Sequence, residues 1–223
     1  MKKALFIFML ALGTVALNAG DVSHFVMLGF SQDGNKFAFG LHGVQDKTYQ
    51  AYAQIYIVDA HTNDFLENGV FKTSPTKTTY SLDSKSVFLA LQNRAVPYLK
   101  KYGISDERMG RTIYSQREDQ VAEKTLLFRD FQTSSEYTVV LHSQEHGNAN
   151  ASFYITCDII NSSGAKHSYK IGNPSVSRHG AKAYAVKKIV IDSTNSTLVF
   201  IIEKKEAYKN GDSIRYMVEV LKL

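Results

Sequence analysis

The sequence predicts a mainly β protein of the α+β class: antiparallel β-meanders and sandwich-like sheets, with partial propeller-blade-like hairpins and one helix in the middle. Three observations carry this. Apolar and polar residues alternate with period two through segment after segment, which is how a half-buried strand is written. The chain has thirteen Tyr and thirteen Phe and no Trp, and aromatic and β-branched residues favour the pleated surface. Only one stretch, 85–99, spaces its apolar residues as a helix does.

After the first nineteen residues, 22–30 reads as a strand. Ser31-Gln32-Asp33-Gly34-Asn35 is a turn, because Asp and Gly tolerate the dihedrals of tight turns. Residues 36–41 alternate, and 42–48 form a polar loop. In 49–60, Tyr52, Gln54, Tyr56 and Val58 share one face and Ala51, Ala53, Ile55, Ile57 and Asp59 the other. Two mostly apolar faces predict a strand covered on both sides. Residues 61–64 turn. The polar, Thr-rich 65–80 reads as a loop with short extended pieces.

Asp83 or Ser84 is positioned to cap the helix. Val87, Phe88, Leu91, Ala95, Tyr98 and Leu99 form its stripe. Pro97 kinks it or ends it after Ala95. Lys100-Lys101-Tyr102-Gly103 suits a helix C-terminus. Residues 104–116 carry no clear period apart from a turn at 109–111. Strands return at 120–130, 136–142, 151–160, 167–171, 182–192, 198–203 and 214–221. The intervening segments, including the loop at 143–148, are turns or loops.

The start of the chain sets its destination. Lys2 and Lys3 precede an apolar run from 4 to 17 and then Asn18-Ala19-Gly20. This is the pattern of a secretory signal peptide at residues 1–19, cut after Ala19. The run is too short to span a bilayer, which takes about 20 residues. Residues 20–223 are then one β-rich domain of 204 residues, soluble in the periplasm or secreted, with no stable membrane insertion after cleavage. Loss of Lys2 and Lys3 takes the formal net charge from +5 to +3. A mild, scattered excess serves solubility better than nucleic-acid binding, so nucleic acid is not an expected partner. Cys157 is the only cysteine, so no internal disulfide is available. Ile155, Ile159 and Ile160 around it predict a buried thiol.

Two stretches echo each other. One runs from Gly29 through Ser31-Gln32-Asp33-Gly34-Asn35 and Lys36-Phe37-Ala38-Phe39 to Tyr52-Ala53-Gln54-Ile55-Tyr56-Ile57-Val58-Asp59. The other runs from the turn at 192–195 through Thr197-Leu198-Val199-Phe200-Ile201-Ile202 to Ile214-Arg215-Tyr216-Met217-Val218. A weaker copy lies at 176–185. Each is a turn, a strand, a loop and a strand, the unit from which propeller blades are built. Generic hairpins account for the echo as well as shared ancestry does, and the copies are too few to close a ring.

The segment 31–39 resembles the blade signature of periplasmic propellers of the translocation protein TolB type. A closer resemblance is to a family of predicted secreted bacterial proteins of unknown function, found in spirochaetes and alphaproteobacteria. It rests on Leu28-Gly29-Phe30-Ser31-Gln32-Asp33-Gly34, Phe37-Ala38-Phe39, Gly43-Val44-Gln45-Asp46, the strand at 52–59, and Gly211-Asp212 with Arg215-Tyr216-Met217-Val218. Lys47-Thr48 stands where that family has a Gly- or Ser-rich step. The resemblance implies a body plan and export, and no catalytic residue.

The chemistry-bearing motifs are sparse. His142 and His146 would align on a helix, yet their surroundings read as strand and loop, and Glu145 is out of place for a metalloprotease. No acidic segment has the spacing of a calcium loop. No Ser sits in a nucleophile elbow, and no glycine-rich phosphate loop precedes a helix. No metal or cofactor is therefore expected, and no catalytic residue. Lys85, Arg94, Lys100, Lys101, Arg108 and Arg111 read as a solvated face. The best binding candidates are His42, Gln45 and Asp46, in a long excursion between well-patterned strands. The expected function is that of a non-enzymatic envelope protein binding or scaffolding an envelope protein or surface polymer. A hydrolase of envelope material, with a site assembled from distant residues, is the alternative.

Overall fold

Alternation along the chain becomes three antiparallel sheets in the computed structural model, which describes residues 21–45, 48–73, 75–80, 82–118, 120–147, 150–208 and 211–223. The leader at 1–19 and the candidate Asp46 lie outside the described residues. The elements in chain order are β1 (His24–Ser31), β2 (Lys36–Val44), β3 (Ala51–Asp59), β4 (Asp64–Lys72), α1 (Ser84–Lys101), β5 (Ile104–Ser105), β6 (Arg111–Ser115) and β7 (Thr125–Asp130). They continue with β8 (Ser135–Gly147), β9 (Asn150–Ile160), β10 (Lys166–Ile171), β11 (Arg178–His179), β12 (Ala181–Ile191), β13 (Thr197–Tyr208) and β14 (Gly211–Lys222). A short 3-10 turn, Lys77–Thr79, precedes the helix.

The first sheet has the order β4-β3-β2-β1-β5, the second β10-β9-β8-β7 with β11 joined to β9, and the third β14-β13-β12-β6. Burial stacks them in layers. Helix α1 lays Val87, Phe88, Leu91, Ala95 and Leu99 on Ala53, Ile55 and Ile57 of the first sheet. The opposite face of that sheet, with Phe37, Phe39 and Val58, packs on Val199, Ile201 and Val220 of the third. The third sheet turns Phe200, Ile202 and Ile189 to Val139, Phe153, Ile155 and Cys157 of the second. The mainly β, one-helix class thus holds. The sheets are open, and no barrel closes among the described residues.

The two strong echo segments each form an adjacent antiparallel pair, β2–β3 inside the first sheet and β13–β14 at the edge of the third, and the turns that precede them touch. Gly34 has φ +67°, and a Cβ there would lie 2.4 Å from Asp192 Oδ2. Thr197 Oγ1 donates to the Gly34 carbonyl at 2.8 Å. The weaker copy crosses from β11 of the second sheet to β12 of the third and is no such unit.

Three expectations are corrected. Strand β2 runs on to Val44 because His42, Gly43 and Val44 pair with Ala53, Tyr52 and Ala51, so His42 is on a strand and not in a loop. The Thr-rich 65–80 contains all but the first residue of the nine-residue strand β4. It is an edge strand with one face in water, so its polar residues hid it. The loop at 143–148 is largely β8, which stays paired with β9 to Gly147. Of the two outcomes open at Pro97, the helix takes continuation: α1 runs to Lys101 and ends where Lys100-Lys101-Tyr102-Gly103 predicted. Pro97 withholds one N–H from the carbonyl of Asn93, and burial of Ala95 and Leu99 on the sheet outweighs that loss. The cap is Asp83, which accepts from Lys85 N at 2.9 Å and Ser86 N at 3.0 Å. Gly103 ends the helix at φ +64°.

Candidate functional site

His42 and Gln45 stand beside a shallow hollow of about 300 Å³ lined by Asp21, His24, Gly43, Tyr49 and Ser84. The His42 ring stacks on His24, with centroids 4.9 Å apart. Its Nδ1 lies 2.9 Å from Ser84 Oγ. Burial, then the neighbouring His24, push the His42 pKa below its ordinary value, which favours the neutral ring. Gln45 is held in the local turn, accepting from Thr48 Oγ1 at 2.9 Å. The pairing of His42 with Ser84 has no signature in the sequence, since 42 residues separate the two. It resembles a base beside a nucleophile. However, the first helical amides beside Ser84, those of Lys85 and Ser86, already donate to Asp83. An acyl-transfer site needs donors for an oxyanion, and these two amides are taken.

A larger feature lies where all three sheets meet. A cavity of about 810 Å³ runs between the β3–β4 turn, the end of β10 with its following loop, and the outer edge of β14. Glu219 projects into this region, and its side chain is 7% exposed. Asn63, held at φ +59° in the turn, donates Nδ2 to Glu219 Oε2. Its Oδ1 accepts from the Val220 amide at 2.6 Å. Arg178 Nη2 stands 3.7 Å from Glu219 Oε1, and its guanidinium lies 4.7 Å over the Phe153 ring. Burial pushes the Glu219 carboxyl above the usual carboxylate range, and the Asn63 hydrogen bond and Arg178 charge oppose that.

Arg178 also lines a second cavity of about 370 Å³ farther along β14, with Tyr56, Phe65 and Tyr216 among its walls. Phe65 is 53% exposed and stacks on Tyr56, with centroids 4.8 Å apart. Tyr56 donates to Gln54 Oε1 at 2.8 Å, and burial pushes its phenol up to about 12. The two cavities share Arg178 and form a cleft along one strand edge, with aromatic rings and charged side chains together walling the smaller. Sequence reasoning missed it, because Asn63, Arg178 and Glu219 sit on three sheets. One signal was present: a lone carboxylate in the apolar run Met217-Val218-Glu219-Val220-Leu221.

The remaining motifs are structural. His142 Nε2 lies 3.0 Å from Thr156 Oγ1 and its ring stacks on Tyr154, while His146 Nε2 lies 2.7 Å from Ser152 Oγ. No group of metal-ligating side chains gathers among the described residues. Cys157 is fully buried, and burial raises its thiol to about 12. Arg111 forms a two-pronged contact with Asp130, joining β6 to the end of β7. Arg108 holds the Gly103 carbonyl at 2.7 Å. Two of the middle cations are therefore anchored. Among the described residues, no helix is long and apolar enough to cross a membrane.

Comparison with curated proteins and with solved structures finds no match. A family model does match residues 38–222, a span that includes the helix, the β14 edge, Asn63, Arg178 and Glu219. The chain belongs to the family described as predicted secreted protein, DUF2259.

Proposed function

We propose that this protein is a non-enzymatic envelope protein, soluble in the periplasm or outside the cell, that binds a partner in the cleft along β14. The observation that carries the reading is the cavity of about 810 Å³ at the junction of three sheets. Clefts on rigid scaffolds with a few convergent polar groups are where ligands bind. Glu219, Asn63 and Arg178 satisfy one another there, which suits recognition better than turnover. The test is cross-linking in intact envelopes followed by capture of the protein, with Arg178→Glu and Phe65→Ala beside the wild type. A reproducible partner, recovered less well by the variants, is the expected result. Failure to recover any partner overturns the reading.

The second reading, a hydrolase, is favoured by one contact, the 2.9 Å approach of His42 Nδ1 to Ser84 Oγ. The filled helix N-terminus speaks against it. A serine-directed fluorophosphonate probe separates the two. Labelling at Ser84, abolished by His42→Ala, would establish the hydrolase, and an unlabelled protein supports binding.

A further inference from the structure

The edge of β14 is closed at both ends and open between them. Residues of β14 pair without interruption to β13, so alternate residues point their main-chain groups inward and outward. The outward set is fixed by three contacts. Ile214 N donates to Asp21 O at 2.9 Å, and Ser23 N donates to Ile214 O at 3.0 Å. Val220 N donates to Asn63 Oδ1 at 2.6 Å. At the other phase, Leu223 N donates inward to Ser196 O at 2.8 Å. The even-numbered residues therefore face outward, and Tyr216 and Val218 lie between the two closures. Among the described residues nothing takes their amides and carbonyls, and both residues line the cavity of about 370 Å³.

We infer that this gap receives a short extended peptide, which adds to β14 as a further strand. The inference rests on the binding reading above and specifies its partner. The closures supply the argument. At one end a main-chain segment of this protein, Asp21–Ser23, already pairs parallel with β14 through the Val22–Ile214 bridge. At the other, the Asn63 carboxamide imitates a peptide group. The first shows that the outer edge of β14 accepts a main-chain partner, and the second that an outward amide takes a carboxamide carbonyl. Side chains of an added strand alternate between two walls. Those on the Tyr216 and Val218 side meet Phe39, Tyr56 and Phe65, and call for aromatic or aliphatic residues. The groove is also lined by Lys72, Arg178, Lys204 and Arg215, of which Arg178 faces Glu219, Lys204 pairs with Glu206 and Arg215 pairs with Asp21. Lys72, which forms no ion pair among the described residues, and Arg178, whose contact with Glu219 is a long 3.7 Å, call for acidic residues in the alternate positions.

The probe is an end-blocked hexapeptide in which phenylalanine and valine alternate with glutamate. Two twins carry backbone N-methyl groups, one at the apolar positions and one at the glutamates. An added strand presents only one of its edges to β14, so one twin should bind about tenfold more weakly than the parent while the other is little changed. Amide exchange read residue by residue should show Tyr216 and Val218 fast in the free protein and slowed by the parent peptide. Met217 and Glu219, which bond to β13, should be slow throughout. Equal binding by all three peptides, equal weakening of both twins, or no binding by the parent overturns the inference. So does binding of an anionic oligosaccharide without the peptide. If envelope capture yields a partner but the peptides behave in any of these ways, strand addition fails and the binding reading stands.

Discussion

A carboxylate between Val218 and Val220 in a packed strand costs free energy unless its oxygens are met. Asn63 and Arg178 meet those of Glu219, yet burial still lifts its pKa above the ordinary 4.5. The folded state therefore holds the Glu219 proton more tightly than the unfolded state does. Its contribution to stability is fully present below about 4.5 and is lost as pH rises through the folded value. Glu219→Gln keeps an acceptor for Asn63 and cannot ionise. Melting temperatures measured across that range should move in the variant's favour as pH rises, and a constant offset would refute the assignment. Asp192 is a second buried acid, with both oxygens used by its own turn. Its Oδ1 accepts from the amides of Ser196 and Thr197, both at 2.7 Å, and its Oδ2 from Thr194 N at 3.1 Å. Asp192→Ala orphans these donors and should cost about 3 kcal/mol in urea unfolding. A loss within error of zero would mean that water replaces the carboxylate. Both roles were partly legible: an Asp before Ser193-Thr194-Asn195 announces a turn, whereas a Glu in an apolar run announces a site without naming its partners.

At the scale of elements, the contact of α1 with the first sheet depends on a missing side chain. A Cβ on Gly40 would lie 2.2 Å from a ring carbon of Phe88, so the helix seats its aromatic residue directly on the β2 backbone. Gly40→Ala should cost about 2 kcal/mol by forcing ring or helix outward. Phe88→Leu makes room, so the double variant should be less destabilised than the sum of the singles by about 1 kcal/mol. Strict additivity would show that the helix shifts freely. The helix itself was legible, because its stripe, cap and C-terminal Gly agree. Pro97 left two outcomes open, because local propensity says nothing of what Leu99 gains by burial. Strand β4 was hidden for a related reason. Asp64, Phe65, Glu67 and Asn68 face solvent, and only pairing with β3, a non-local fact, makes the segment a strand.

At the scale of the molecule, the third sheet is the middle layer, and the continuous apolar run Leu198-Val199-Phe200-Ile201-Ile202 states this in sequence. A strand with water on one face alternates, and one buried on both does not. What the run does not state is which layers lie on either side, because each neighbour is brought by a different stretch of chain. The cleft inherits that illegibility, since it exists only where the three sheets converge on the β14 edge. The layering has a thermodynamic consequence. Phe200 packs toward the second sheet and Ile201 toward the first, and neither is more than 3% exposed. A cavity on either side of β13 weakens the one layer that both neighbours require. Phe200→Ala and Ile201→Ala should each cost about 3–4 kcal/mol, and each should lower a single calorimetric transition shared by the whole protein. If Ile201→Ala shifts one transition and leaves a second untouched, the first sheet with its helix unfolds by itself, and residues 20–223 are not one cooperative domain.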